Sequence, residues 1–323
     1  MKDLLLITPP FTQLNTPYPA TAYLKGFLNT KNISSYQIDL GIEVILEIFS
    51  KKGVTEIFNV KPKNLSENAQ RIFALKEEYI KTIDEVIAFL QNKKPTLARQ
   101  ICSMNFLPEA SRFNQLDDME YAFGNMGLQD KAKHLATLYL EDLSDYIVEN
   151  IDENFGFSRY AERLGRSANS FDELYEKLQS DKTFVDNFTL EILDKKLLET
   201  QPKLVCFSVP FPGNLYSAFR CAQYIKNHYP NIKTAFGGGF ANTELRDLKD
   251  KRVFEFFDFI TLDDGELPIE LLFENVCHSE QSEESLFKRT FLLENGEVVY
   301  KNNSERHDYK QAEIGTPDYT DLP

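Results

Sequence analysis

The feature that most constrains this chain is a pair of short, uninterrupted apolar segments that lie far apart in the sequence. The first spans residues 3–10 and ends in two prolines, and the second spans residues 203–209. Strands with one solvent-exposed face alternate apolar and polar residues, whereas parallel strands that are covered on both faces are continuously apolar. We therefore expect two buried parallel strands that belong to the same sheet.

Helical segments connect these strands to others. Residues 19–28 predict a helix because proline suits a first turn, and residues 35–41 then predict a second strand, which gives a β-α-β unit with parallel strands. The same alternation of strand and helix patterns occurs again after residue 203. We expect strands at residues 4–7, 36–40, 204–208, 233–236 and 259–262, in the order 2-1-3-4-5, with a helix at 215–225 and a short helix at 243–248.

Between the first β-α-β unit and residue 203, the apolar residues have only the spacing of helices. Apolar residues recur every three or four positions in two stretches, which contain Ile72, Tyr79, Ile83, Val86, Ile87 and Leu90, and Leu135, Tyr139, Leu143, Ile147 and Ile151. The predicted fold is therefore α/β, with a doubly wound, five-stranded parallel sheet of the Rossmann-like or flavodoxin-like kind. Residues 1–60 and 200–276 form this domain, and residues 61–199 are an all-helical insert between strands 2 and 3.

The last part of the chain has a different character. Residues 277–285 are polar, acidic and repetitive, which is typical of a flexible insertion. Residues 291–300 predict a β-hairpin around Asn295-Gly296, because this dipeptide favours a two-residue hairpin turn. Residues 315–323 have the composition of a linker.

Charge and hydropathy exclude several classes of function. A net charge of −14 argues against nucleic acid as a partner, because phosphate binding needs clustered lysine and arginine. The apolar runs are far shorter than the roughly 20 residues of a membrane-spanning helix. The N-terminus runs directly into a strand and offers no signal-peptide pattern. We expect a cytoplasmic protein without a membrane span.

The cysteines and histidines do not predict a metal site. Cys102, Cys206, Cys221 and Cys277 are too widely spaced for a zinc ribbon or a chelated iron–sulfur cluster. Cys206 falls in a strand pattern and Cys221 in a helical one, so both are expected to be buried as small apolar residues. We expect surface positions for the histidines, which are His134, His228, His278 and His307.

Four loops follow the predicted strands, and ligands of open parallel sheets bind at this edge. They span residues 9–19, 208–215, 237–243 and 263–266. Three consecutive glycines in the third loop allow a flat or phosphorylated ligand to approach the backbone closely, although a plain turn would also use glycine. The acidic residues of the fourth loop are equally explained as caps of the following helix.

In combination, these loops resemble the N-terminal cobalamin (B12)-binding domain of B12-dependent radical SAM proteins. The similar segments are Thr8-Pro-Pro-Phe, Tyr18-Pro-Ala with Tyr23-Leu-Lys-Gly26, Ser208-Val-Pro-Phe-Pro-Gly-Asn-Leu215, Phe236-Gly-Gly-Gly239 and Asp264-Gly-Glu266. They occur in the family's order and cover residues 2–59 and 203–275. The resemblance implies a cofactor-binding set of Pro9, Pro10, Tyr18, Ser208, Pro210, Asn214, Gly237, Gly238, Gly239, Asp264, Gly265 and Glu266.

The chain departs from the family pattern in two ways. The loop of residues 8–26 has no histidine to bind cobalt, so the resemblance implies cobalamin without a protein histidine ligand. The radical SAM barrel with its three-cysteine loop is also missing. The resemblance therefore implies an accessory domain that is not catalytic by itself. Its partner would be a C-terminal radical SAM domain that carries the S-adenosylmethionine and the 4Fe-4S cluster.

Two other interpretations remain open. In the first, the sheet has lost cofactor binding and serves as an interaction or substrate-gating module, with the helical insert as its working surface. In the second, the chain is a stand-alone flavodoxin-like protein for FMN or a nucleotide. Against this, residues 8–19 contain no glycine and few hydroxyl groups with which to hold a phosphate.

Overall fold

The computed structural model describes residues 3–12, 14, 16–103, 105–118, 127–157, 171–277 and 285–323. Contacts between residues divide the chain into two compact units, Met1–Val44 with Phe157–Pro323, and Ile45–Gly156. The protein is α/β. The first unit contains a mostly parallel sheet, and the regular elements described in the second unit are all helices.

The sheet has seven strands. They are β1 (Leu4–Thr8), β2 (Ser35–Asp39), β3 (Leu204–Ser208), β4 (Lys233–Gly237), β5 (Phe259–Thr261), β6 (Thr290–Glu294) and β7 (Glu297–Lys301). Their order is β2-β1-β3-β4-β5-β6-β7. The first five are parallel in the predicted order 2-1-3-4-5, whereas β6 and β7 are antiparallel.

The prediction of five strands is therefore wrong in number, because the C-terminal hairpin joins the sheet. Ile260 of the short strand β5 pairs with Phe291 of β6. This pairing covers the edge of β5, whose backbone groups would otherwise lack partners. The hairpin itself is confirmed, since Asn295 and Gly296 both have positive φ, 51° and 82°, as a two-residue hairpin turn requires.

The described residues form twelve α-helices and four short 3-10 helices. The α-helices are α1 (Ala20–Thr30), α2 (Leu40–Ile48), α3 (Lys51–Asn59), α4 (Glu67–Ala74), α5 (Lys76–Leu90), α6 (Ala98–Ile101), α7 (Leu128–Asn150), α8 (Asp172–Gln179), α9 (Phe184–Thr200), α10 (Leu215–His228), α11 (Gly239–Glu244) and α12 (Glu266–Cys277). The 3-10 helices are Pro95–Leu97, Ser111–Asp118, Pro212–Asn214 and Lys251–Glu255. None of the helices in the described part is long and apolar enough to cross a membrane.

Alternate residues of the strands pack on opposite faces of the sheet. One face joins α1 and α12 in a single apolar cluster, formed by Leu4, Leu6, Leu204, Cys206, Ala235, Phe27, Leu28, Ile269 and Leu272, among others. On the other face, the ring of Phe236 contacts Phe219 of α10 and Phe257. Cys206 and Cys221 are both buried, as predicted.

The second unit is held by buried aromatic and polar side chains. Tyr79 of α5 and Tyr139 of α7 have ring centroids 5.0 Å apart, and the Tyr139 hydroxyl lies 3.0 Å from Thr82 Oγ1. Asp142 accepts hydrogen bonds from the backbone N–H groups of Ala110 at 3.0 Å and Arg112 at 3.1 Å. Its burial raises the pKa of this carboxyl to about 6.

The boundaries of the helical part differ from those expected. The compact helical unit covers residues 45–156, whereas α8 and α9, within the predicted insert of residues 61–199, belong to the unit with the sheet. The short helix expected at residues 243–248 lies instead at Gly239–Glu244. The turn at Gly238, with φ 103°, and the bond from Phe240 N–H to the Val209 carbonyl start this helix earlier. Residues 278–284, most of the expected flexible insertion, lie outside the described residues.

The C-terminal segment, which the sequence presents as a linker, packs against α1. Lys25 of α1 is 6% exposed and forms an ion pair with Asp321. A Cβ at Gly26 would lie only 2.0 Å from the carbonyl oxygen of Thr316, so the segment passes directly over the glycine backbone. We call residues 315–321 the C-terminal strap.

Candidate functional site

A cavity of about 270 Å³ opens at the carboxyl ends of β3, β4 and β5, between the sheet and the helices α1 and α12. The strand side of this cavity contributes Leu6, Cys206 and Ala235, and the helix side contributes Leu24, Ile269 and Leu272. These residues belong to, or pack against, the apolar cluster on that face of the sheet. The interior of the cavity is therefore an apolar space between the sheet and two helices.

Three residues with hydroxyl groups lie at or near this apolar surface. Thr21, in the first turn of α1, lines the cavity and is only 1% exposed, and its buried Oγ1 has no hydrogen-bond partner among the described residues. Ser208 at the end of β3 also lines the cavity. Thr8 ends β1 on the same sheet face as Leu6, and its buried Oγ1 is likewise without a partner in the described part of the chain. An unpaired buried hydroxyl costs about 1–3 kcal/mol, so Thr8 and Thr21 leave hydrogen-bonding capacity unused.

The rim of the cavity is acidic. Asp263, Asp264 and Glu266 come from the connection between β5 and α12, and Glu266 lies in the first turn of that helix. Asp263 forms ion pairs with two arginines, Arg246 and Arg289. No lysine or arginine is among the described residues that line the cavity.

The glycine triplet has a structural role that needs no ligand. Gly237 and Gly238 line the cavity, but a Cβ at Gly238 would lie 2.8 Å from the Val209 carbonyl oxygen, and its φ is 103°. A Cβ at Gly239 would lie 2.8 Å from the carbonyl oxygen of Pro210. The glycines therefore allow the loop after β4 to pack against the loop after β3.

A second cluster joins the loops after β1, β2 and β3. The Asn214 side chain is fully buried, and its Nδ2 donates to the Pro9 carbonyl and to Thr12 Oγ1, each at 2.9 Å. Asp39 Oδ2 accepts a hydrogen bond from the Tyr18 backbone N–H at 3.2 Å. Burial raises the pKa of Asp39, while the backbone N–H groups that it accepts oppose the shift. The edge-on ring contact of Tyr18 with Phe211, at 6.0 Å, completes the cluster.

The structure thus divides the predicted site residues into two groups. Those that line the cavity are Ser208, Gly237, Gly238, Asp264, Gly265 and Glu266. Those that lie outside its lining are Pro9, Pro10, Tyr18, Pro210, Asn214 and Gly239. The sequence reasoning did not select Thr21, Tyr23 and Leu24. Their location in the helix that follows β1 was the available signal, because such a helix borders the strand ends.

The described residues contain no group of three or more histidine, cysteine, aspartate or glutamate side chains that could hold a metal ion. Cys206 contributes to the cavity wall, but burial raises the pKa of its thiol and keeps it protonated. The cavity therefore offers hydrogen-bonding and apolar contacts, and its cysteine is not an activated nucleophile.

Comparison of this chain with protein-family models, with curated proteins and with solved structures gives no match.

Proposed function

We propose that this chain is a cobalamin-binding domain that assists a radical SAM domain and is not catalytic by itself. The observation that carries the proposal is the cavity at the carboxyl ends of the parallel strands. Open parallel sheets bind their cofactors at this edge.

The size of the cavity fits one end of a large cofactor. Its volume of about 270 Å³ falls below the roughly 300–1,000 Å³ of pockets that enclose a whole drug-sized ligand. The apolar interior suits the base of the nucleotide tail of cobalamin, which would lie along the sheet near Ser208 and Gly237. The larger corrin ring would then lie outside the cavity, over the strand ends.

The acidic rim supports the same assignment. The corrin ring carries amide groups around its edge, and their N–H donors suit the carboxylates of Asp264 and Glu266. The loop of residues 8–26 contains no histidine, so this chain would bind the corrin without a protein ligand to cobalt. When bound, cobalamin would supply methyl-transfer or radical chemistry, and this chain would hold and orient it. The S-adenosylmethionine and 4Fe-4S cluster belong to the proposed partner domain.

A second candidate function is an interaction or substrate-gating module without a cofactor. The packing of Gly238 against Val209 favours this alternative, because it explains the glycine triplet with no ligand present. It leaves the cavity at the strand ends without a role.

Equilibrium dialysis of the purified chain against hydroxocobalamin tests the proposal. The wild type should retain the corrinoid, and Ala20→Trp should reduce retention by about tenfold or more, because a bulky residue at the cavity wall occupies ligand space. Leu198→Trp is the matched control, since Leu198 is an exposed residue of α9 outside the cavity. Gly238→Trp would be a poor test, because its side chain would collide with the Val209 backbone.

Wild-type protein that retains no hydroxocobalamin would contradict the proposal and favour the interaction module. Retention of FMN in place of the corrinoid would favour the flavodoxin-like alternative. Equal retention by wild type and Ala20→Trp would show that the corrinoid binds elsewhere on the protein.

A further inference from the structure

We propose that the outer edge of β7 pairs with the β7 strand of a second copy of this chain. The two strands are antiparallel and related by a two-fold axis at Val299, so that the two sheets become one continuous sheet. This inference is independent of the proposed cofactor function, because β7 contributes none of the described residues that line the cavity.

The strand β7 ends the sheet, and its outer edge has no strand partner in the described part of the chain. A two-residue turn joins it to β6, and the residues that flank such a turn form a hydrogen-bonded pair. Bonded and non-bonded pairs then alternate along the hairpin. The backbone N–H and C=O groups of Glu297, Val299 and Lys301 therefore face β6, and those of Val298 and Tyr300 face outward.

The outward groups fit one register of self-pairing. A two-fold axis at Val299 places Val298 of one copy opposite Tyr300 of the other, and the same pair recurs on the other side of the axis. Each pair exchanges two N–H···O=C hydrogen bonds, because its groups point toward the second copy. Four bonds form in total, and they use every outward backbone group of the two strands.

The charged side chains are complementary in the same register. Glu297 of one copy lies opposite Lys301 of the other at both ends of the pairing, whereas a parallel alignment would place like charges opposite one another. Within its own hairpin Glu297 faces Glu294, and Lys301 forms an ion pair with Glu294. Exchange of that partner for Glu297 of the second copy adds little affinity, but it selects the orientation and the register.

Apolar side chains on one face of the hairpin are left exposed by the single chain. Leu293 is 42% exposed and Tyr300 is 47% exposed, and Val298, the partner of Leu293 in the sheet, is partly exposed. The Tyr300 ring packs against Phe291, with centroids 4.9 Å apart. In the dimer Tyr300 lies opposite Val298 of the second copy, an aromatic and β-branched pair that removes apolar surface from water.

Charge does not oppose contact at this hairpin. The chain has a net charge of −14, which disfavours self-association in general. Residues 288–301, in contrast, contain three cations, Lys288, Arg289 and Lys301, and two carboxylates, Glu294 and Glu297. The hairpin is therefore a part of the chain without excess negative charge.

The pairing should be reversible. β7 has five residues, so the interface falls short of the roughly 1,200 Å² that stable complexes bury. We expect a dissociation constant of about 100 µM.

Sedimentation velocity of the full chain from about 5 to about 500 µM tests the proposal, and the wild type should change from monomer to dimer over this range. Glu297→Lys and Lys301→Glu each place like charges opposite one another at both ends of the pairing. Each variant alone should dimerise about tenfold more weakly. Glu56→Lys, at an exposed position of α3, makes the same charge change as Glu297→Lys and should dimerise like the wild type.

An equimolar mixture of the two edge variants gives the sharper test. The two lysines of one variant then lie opposite the two glutamates of the other, so a heterodimer should form with about the affinity of the wild type. A hairpin that had failed to fold would not be rescued by mixing. A mixture that stays monomeric at concentrations where the wild type dimerises would overturn the proposed pairing.

Amide exchange resolved by NMR locates the contact. The N–H groups of Val298 and Tyr300 should exchange fast at low protein concentration and more slowly at high concentration, whereas that of Val299 is bonded to β6 at both. A wild type that is monomeric at about 500 µM would overturn the proposal and leave the edge to an extended segment of a different protein. A dimer in which Val298 and Tyr300 gain no protection would overturn it as well.

Discussion

The Nδ2 atom of Asn214 lies 2.9 Å from the carbonyl oxygen of Pro9 and joins the loops that follow β3 and β1. The same amide group donates to Thr12 Oγ1 at 2.9 Å. The neighbouring strands β1 and β3 separate at this edge to connect to different helices, so one buried side chain fixes the spacing of two loops next to the cavity. Asn214 is therefore a structural residue at the border of the candidate site.

Replacement of Asn214 by alanine should destabilise the protein by about 1–3 kcal/mol, because the Pro9 carbonyl and the Thr12 hydroxyl lose their buried donor. Urea unfolding followed by circular dichroism measures the change. Asn214→Asp is the matched variant and should be at least as destabilised, since an ionised carboxylate has the same shape but no hydrogen to donate. A free energy of unfolding equal to that of the wild type in both variants would contradict the structural role.

The sequence was sufficient to predict the parallel part of the sheet and its order. Continuous apolar segments such as residues 204–208 have few alternative structures, because a buried parallel strand needs no polar face. The pairing of β6 with β5 could not be predicted in the same way. The Asn295-Gly296 turn specifies the hairpin locally, whereas its attachment to Ile260 depends on contacts between distant residues.

Half of the predicted site residues line the cavity. The other half lie outside its lining, and several of them use their side chains or backbones to pack the loops together. A motif at a strand end identifies the edge of the sheet, but it does not tell which loop residues are used for packing. Asn214 and Gly239 are close to the strand ends and are occupied by contacts with neighbouring loops. Thr21 was not selected because its place in the cavity lining depends on how α1 packs against the sheet, which the local sequence does not specify.

Gly26 should be required for the C-terminal strap to remain on α1. Alanine normally stabilises a helix by about 1 kcal/mol relative to glycine, but here a Cβ would lie 2.0 Å from the Thr316 carbonyl oxygen. Gly26→Ala should therefore displace the strap, and the backbone N–H of Asp318, bonded to the Ala22 carbonyl at 3.0 Å, should exchange with solvent faster. Hydrogen exchange with mass spectrometry measures this.

Gly127→Ala is the control for this substitution, because a Cβ at Gly127 meets no atom of the described residues within 4 Å. It should leave exchange in the strap unchanged. Protection of Asp318 that is equal in Gly26→Ala and the wild type would show that the strap does not need the glycine.

The pKa of Asp142 predicts a pH dependence of stability. Its folded-state pKa of about 6 lies above the ordinary aspartate value of about 3.9, so the folded protein binds the additional proton between these values. The contribution of Asp142 to the free energy of unfolding therefore decreases by roughly 1–3 kcal/mol as the pH rises from about 4 to about 6. Unfolding free energies measured across this range should show the decrease.

Asp142→Asn should show a flatter pH profile in the same experiment, since the amide does not titrate. It should also be less stable at every pH, because an amide nitrogen cannot accept the N–H bonds from Ala110 and Arg112 that both carboxylate oxygens accept. A profile as steep as that of the wild type would assign the pH dependence to other groups.

Arg220 and Asp186 form a buried ion pair, with Nε 3.1 Å from Oδ2 and side chains that are 4% and 3% exposed. Arg220→Met should cost about 3–5 kcal/mol, because it leaves the Asp186 charge buried with less compensation. Arg112→Met should cost about 1 kcal/mol or less, since the Arg112–Asp145 pair lies at the surface and is screened by solvent. Chemical denaturation of both variants compares the two losses. Equal losses would contradict the assignment of a structural role to the buried pair.

The isolated chain should bind no iron–sulfur cluster and should not cleave S-adenosylmethionine. Cluster assembly needs several thiolates that converge on one site, and a radical SAM cluster takes three from a short loop. Cys206 and Cys221 are the nearest pair in the sequence, and they lie in β3 and in α10. Burial raises the pKa of both thiols, which disfavours the thiolate that iron requires. Both cysteines are therefore poor ligands for iron.

Anaerobic reconstitution with iron and sulfide gives the measurement, with iron content and visible absorbance recorded after desalting. We expect substoichiometric iron that is unchanged in Cys206→Ala and Cys221→Ala, and no 5′-deoxyadenosine when S-adenosylmethionine and a reductant are added. A stoichiometric absorbance band that is lost on replacement of a single cysteine would overturn the assignment as an accessory domain. Such a band would require the buried cysteines to become exposed and deprotonated together. Since Cys206 lies in the wall of the cavity, cluster assembly there would also open the packing between the sheet and α12, which a fall in the melting temperature would reveal.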